Sequence, residues 1–206
     1  MEKQILYIKN WLGTGTINIF GIQFSGKDTV GQNLAKVLDA EFIASGDVVR
    51  ANAERLENNV NTDQGLLAPT KEYIELVEEY LINETPANRA LVLSSFGRWI
   101  GEEKPVMRAL KHSGHETKAA LVLSISESEV WQRWGKIGDE RNGGRVDDID
   151  KEKVATRIQE FKNKTLPVIE VYRKMGILIE VDGEQSREKV MNDVIEKLYE
   201  FSCAKS

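Results

Sequence analysis

The chain has 206 residues, 41% hydrophobic and 30% charged, which suits one domain with a substantial buried core. A formal charge of -5 and a pI near 5.3 argue against general nucleic-acid binding, which needs a basic face. No run approaches the roughly 18 apolar residues of a membrane span, the start Met1–Gln4 carries no secretory pattern, and the single cysteine, Cys203, excludes an intramolecular disulfide, so a cytoplasmic protein is expected.

In chain order, residues 1–16 read as a short amphipathic extension (Ile5, Ile8, Leu12) ending in a flexible Gly13-Thr14-Gly15-Thr16. A strand is predicted over 17–22 and a helix through Val30, Leu34, Val37 and Leu38. Between them lies Gly21-Ile22-Gln23-Phe24-Ser25-Gly26-Lys27-Asp28-Thr29. A strand feeding a glycine-bounded loop that opens onto a helix aims backbone N–H groups into one concavity, at the helix's positive end. Such a loop cradles a polyphosphate, with Lys27 reaching the outer phosphates. The pattern GxxxxGK[ST] misses by one position: Asp28 follows the lysine and the hydroxyl comes next, at Thr29.

Further strands are predicted at 41–43, 90–93, 119–124 and 177–181, alternating with helical patterns, which implies βαβ units around a parallel sheet. Tyr73, Val77 and Tyr80, with Ile74 and Leu81, give one apolar helix face. Ser126 and Glu129 read as a capping box. A long helix begins near Lys151 and runs through Ile158 and Phe161; Pro167 either kinks it or opens a second helix. Val190, Val194 and Leu198 mark a last helix. His112 and His115 have no Cys or carboxylate set at metal-ligand spacing and are expected on the surface, at a helix end and in a loop. Two segments fit the alternation poorly: 44–69, and the glycine-rich, charged 135–150, which reads either as a lid over a phosphate site or as a solvated loop.

Several blocks follow the phosphate loop in a telling order: ASGDVVRA (Ala44–Ala51), QGLLAP (Gln64–Pro69), LVLSSFGRWIGE (Leu91–Glu102), NGGRVDD (Asn142–Asp148), a helix with Arg157, TLPVI (Thr165–Ile169) and VDG (Val181–Gly183). Order and spacing resemble the adenylate kinase family of nucleoside monophosphate kinases, in its short-lid form without a zinc-type insert. The resemblance implies a P-loop α/β/α fold of three layers with a central five-stranded parallel sheet. Residues 17–206 would form the kinase domain, with a monophosphate-binding helical flap over about 44–69 and a short lid over about 135–150. It further implies ATP and a nucleoside monophosphate as partners, Mg2+ but no zinc, and a monomer.

By motif position, Gly21, Phe24, Ser25, Gly26, Lys27, Asp28 and Thr29 would hold ATP, with Arg133 and the backbone near Gln185 against its base. Ser45, Gly46, Arg50, Ala68, Ser95, Phe96, Gly97, Arg98 and Glu102 would line the acceptor site. Arg145 and Arg157 would contact the phosphates in transit, so that Lys27, Arg98, Arg145 and Arg157 form the catalytic cation set. The chemistry agrees with the residue types, since phosphoryl transfer needs two anions held in line and their charge neutralised, and guanidinium matches phosphate oxygens bidentately.

Some positions depart from the family pattern. Ser94 stands where the family has the aspartate that orients hydrated magnesium. Asp28 is either the replacement metal ligand or an acid favoured by the helix dipole. Glu102 stands where a glutamine commonly reads adenine; it either accepts from a guanine-like edge or, with Glu103, forms a solvated helix face. Phe24 is bulky where backbone approaches phosphate, and Ile137 replaces a lid arginine. A nucleotide-binding protein with weak or no transfer, and a P-loop kinase with another small acceptor, are the competing readings.

Overall fold

The computed structural model describes residues 1–52, 70–140 and 150–205. Five parallel strands, β1 (Thr16–Gly21), β2 (Glu41–Ala44), β3 (Leu91–Ser94), β4 (Thr117–Ser124) and β5 (Leu178–Asp182), form one sheet in the order β2-β3-β1-β4-β5. The helices are α1 (Glu2–Leu12), α2 (Lys27–Leu38), α3 (Ser45–Ala51), α4 (Thr70–Asn83), α5 (Glu103–His112), α6 (Glu127–Glu140), α7 (Lys151–Glu160), α8 (Leu166–Lys174) and α9 (Arg187–Ala204). None of the described helices is long and apolar enough to cross a membrane.

Both sheet faces are covered, which is why the strands are nearly continuous apolar runs. Ile17 and Ile19 of β1, with Leu121 and Leu123 of β4, face a cluster containing Leu34 of α2 and Val194 and Leu198 of α9. Phe20 and Val122 face Val168 and Tyr172 of α8 instead. Leu91 and Leu93 meet Val77 and Leu81 of α4 and Val106 and Leu110 of α5. Three layers result.

The first residues are not a loose extension. Ile8 and Leu12 are fully buried in the α2–α9 cluster, and Tyr7 and Trp11 make edge-to-face contacts with Tyr199 and Phe201 of α9. The expected flexible link is pinned as well: Thr14 Oγ1 donates to Gly114 O, Thr16 N to Glu116 O, and Leu91 N to Gly15 O. A Cβ at Gly15 would lie 2.7 Å from Lys118 Cγ and 2.8 Å from Leu12 O, so only glycine fits. His115, expected on the surface, is fully buried, with Nδ1 2.7 Å from Thr14 O; its carbonyl accepts from Thr16 Oγ1. Closure of the α1–β1 link over it overrides the polar character that suggested exposure.

Two segments that fit the alternation poorly are partly helical: residues 45–51 form α3, and α6 continues to Glu140. Of the capping box, Ser126 Oγ accepts from Glu129 N, whereas Ser126 N donates to Glu184 rather than to Glu129. Pro167 opens a second helix. A π-helical turn over Phe161–Thr165 joins α7 to α8, and the proline sits in the first turn of α8, where its missing N–H costs nothing.

Candidate active site

The loop after β1, the Ala44–Ala51 block after β2, the turn after β3 and the Val181–Gly183 block ending β5 all lie at the C-terminal edge of the sheet, where a parallel α/β fold places ligands. Gly21 ends β1, and a Cβ there would lie 2.4 Å from Ser25 Oγ, because the loop closes back on its strand. Gly26, with φ 85°, caps α2 in the left-handed region. Phe24 also has positive φ, 64°, a costly conformation for a bulky side chain that is concentrated at functional turns. Its ring packs against the apolar cluster of Ile22, Val130 and Val154.

Arg133 fixes this loop from outside. Its Nη1 donates to Phe24 O at 3.0 Å, Nη2 to Gly183 O at 2.7 Å, and Nε to Glu129 Oε1 at 2.7 Å. One guanidinium thus joins the phosphate loop, the turn after β5, and α6. In-plane hydrogen bonding uses the edges of guanidinium and leaves its faces for stacking. Gln185 sits in the same turn, its Nε2 donating to Asp193 Oδ2 at 2.7 Å. Thr29 is exposed on α2.

Lys27 and Asp28 open α2, with Lys27 Nζ 3.6 Å from Asp28 Oδ2. The other carboxylate oxygen accepts from Ser94 Oγ at 2.5 Å, so Asp28 bridges to the end of the neighbouring strand β3. An oxygen ligand held beside a phosphate cradle fits magnesium, which takes one or two carboxylates together with water and phosphate oxygens. Among the described residues no group of three or more His, Cys, Asp or Glu could hold a metal ion.

The turn after β3 is built with unusual firmness. Ser95 and Gly97 have positive φ, 59° and 70°. Asn18, a buried amide in the middle of β1, donates from Nδ2 to Phe96 O at 2.8 Å and accepts from Phe96 N at 3.2 Å. Tyr73 Oη accepts from Gly97 N, Glu102 Oε2 accepts from Arg98 N and Trp99 N, and Glu103 Oε2 accepts from Gly101 N. Neither glutamate is solvated; each is 3% exposed. Asn18, Tyr73 and Glu103 were not picked out as site residues. A polar residue inside an apolar central strand was the available signal for Asn18.

Burial lowers the Arg98 guanidinium from its ordinary value, with the Tyr73 and Glu102 side chains opposing and the charge of Arg157 lowering it further. The like charges of Arg98 in the turn and Arg157 of α7 therefore oppose one another, and a bound anion would relieve that repulsion. Lys164 of the π turn lies 3.9 Å above the Trp99 ring while bonded to Glu160, which ties α7 and its Arg157 to the turn. Ser45 is buried at the start of α3. A Cβ at Gly46 would lie 3.0 Å from Arg50 Nη1, and Arg50 is ion-paired with Asp47. Ala68, Arg145 and the side chain of Ile137 lie outside the described residues.

A family model described as adenylate kinase matches residues 19–177. The chain belongs to the adenylate kinase family. Among its relatives are an adenylate kinase of Leptospira biflexa, 27% identical over 84% of this chain and 94% of that protein, and one of Phocaeicola vulgatus, 27% identical over 87% and 95%. An adenylate kinase of Azobacteroides pseudotrichonymphae is 28% identical over 88% and 96%. Family membership makes this protein an ATP-dependent nucleoside monophosphate kinase. The matched span starts after α1, so the helix that packs on α9 precedes the region that defines the family.

Proposed function

We propose that this kinase family member binds ATP along residues 21–29 and its acceptor monophosphate between α3 and the Ser95–Glu102 turn, as a cytoplasmic monomer. The observation that carries this reading is the bond between Asp28 and Ser94, which sets the phosphate loop beside the end of β3, where the acceptor turn begins. Lys27 and the loop N–H groups hold the β- and γ-phosphates, and Arg133 and the backbone near Gln185 face the ATP base. Ser45, Gly46, Arg50, Ala68 and the 95–98 turn hold the acceptor, with Arg50 and Arg98 on its phosphate. Arg145 and Arg157 complete the cation set around the moving phosphoryl group.

Transfer of this kind needs little covalent participation by protein. It needs the attacking acceptor oxygen and the γ-phosphorus in line, and donors fixed where charge gathers. Asp28 is the residue to hold magnesium, with Ser94 orienting the carboxylate. Held there, the ion would supply positive charge to offset that of the phosphates. A coupled assay of ADP formation with AMP, GMP, CMP and UMP, with and without Mg2+, tests the proposal. Magnesium-dependent turnover with at least one acceptor is expected; ATP binding without turnover on any of the four would overturn it.

A further inference from the structure

The helix α4 touches the turn that carries Arg98 at two points one helical turn apart. Thr70 hydrogen-bonds the Glu102 carboxylate, and Tyr73 Oη accepts from Gly97 N at 2.9 Å. Residues three apart share a helix face, so Thr70 and Tyr73 act together. Gly97 N–H donates to this hydroxyl, which also shares a hydrogen bond with Ser45 Oγ, 3.1 Å away, so the phenol joins α3 to the same turn. Burial pushes the Tyr73 phenol up to about 12, so the hydroxyl stays neutral. On the other side, one Glu102 oxygen takes the backbone N–H groups of Arg98 and Trp99, at 2.8 and 2.9 Å. With Thr70 as well, this carboxylate has three donors from its own chain and is 3% exposed.

A carboxylate so satisfied has little capacity left for a nucleobase, and taking it from its donors would leave buried N–H groups unpaired. We propose that Tyr73 and Glu102 are positioning residues that hold α3 and the Arg98 turn in fixed relation, and that Glu102 does so in place of reading the acceptor base. This rests on the assignment of Ser45 and Arg98 to the acceptor site. The turn's positive-φ residues, Ser95 and Gly97, need outside support to stay in one conformation, and Asn18, Tyr73 and Glu102 supply it from three directions.

Steady-state kinetics of Tyr73→Phe, Glu102→Gln, Glu102→Ala and Arg98→Ala, with the four monophosphates varied in turn and then ATP varied, test the proposal. Tyr73→Phe and Glu102→Ala are expected to raise the acceptor KM roughly three- to tenfold, in line with loss of buried hydrogen bonds, with the KM for ATP unchanged. Glu102→Gln retains an oxygen for both N–H groups, so it stays near wild type and keeps the ranking of the four acceptors. A reordered ranking in Glu102→Gln would identify a base reader and overturn the proposal, as would unchanged acceptor KM in both Tyr73→Phe and Glu102→Ala. Arg98→Ala separates the two levels: if it too leaves the acceptor KM unchanged, the acceptor assignment itself is wrong. Circular dichroism of each variant excludes unfolding as the cause, and Glu102→Gln retains the side-chain shape if Glu102→Ala fails to fold.

Discussion

The Ser94 hydroxyl donates to the Asp28 carboxylate across 2.5 Å, joining the end of β3 to the first turn of the phosphate-loop helix. In the pattern this sequence resembles, the carboxylate stands at the strand end and the hydroxyl follows the loop lysine. Here the two groups have changed places yet still touch.

That exchange predicts a rescue. Asp28→Ala should raise the Mg2+ concentration for half-maximal turnover by about ten- to a hundredfold, the usual effect of losing a group that holds or orients a metal ligand. Ser94→Asp alone sets two carboxylates against each other and should also lose activity. The double variant Asp28→Ser/Ser94→Asp restores the familiar arrangement and should recover much of it. Magnesium titrations of ADP formation compare the three; a magnesium requirement untouched in Asp28→Ala would count against the metal role.

Glu102 gives a pH signature in stability. Burial raises its carboxyl above the ordinary range, opposed by the Trp99, Thr70 and Arg98 donors. The folded state therefore holds this proton more tightly than the unfolded chain. Its contribution is most favourable below the unfolded value and is lost as pH rises through the folded one. Wild type should gain in Tm relative to Glu102→Gln as pH falls from about 7.5 toward about 5. Thermal melts of both proteins over that range check the sign; a constant difference would mean the carboxyl is not shifted.

The first helix is a structural part, and its removal should show. Ile8 is fully buried against α2 and α9. Ile8→Ala should cost about 2–5 kcal/mol, the range for emptying such a site. Gly15→Ala forces a methyl group against backbone and should lower the free energy of unfolding as well. Urea melts of the two variants, with the far-UV signal as readout, measure both.

The strands and the phosphate loop were legible because their signals are local. A short apolar run, a glycine-bounded loop and a helical repeat sit within about thirty residues. All five strands fall within two residues of the positions expected. The support of the acceptor turn was not legible. It depends on Asn18, Tyr73 and Glu102, which lie far apart in the chain and meet only once β1, α4 and β3 pack. Tyr73 reads as an ordinary apolar-face residue, since nothing local marks its hydroxyl as a bridge. The burial of His115 escaped for the same reason: its cover comes from the link between α1 and β1. Arg133 was found through motif position, but its three-way tie to Phe24, Gly183 and Glu129 is a product of the fold.

The clasp of α1 on α9 sets an order of events during synthesis. Ile8 and Leu12 are made long before their apolar partners Val194 and Leu198. Until then α2, which carries Lys27 and Asp28, has an incomplete floor on that side of the sheet. Nascent chains halted before α9 should thus display sticky surface and hold nucleotide poorly.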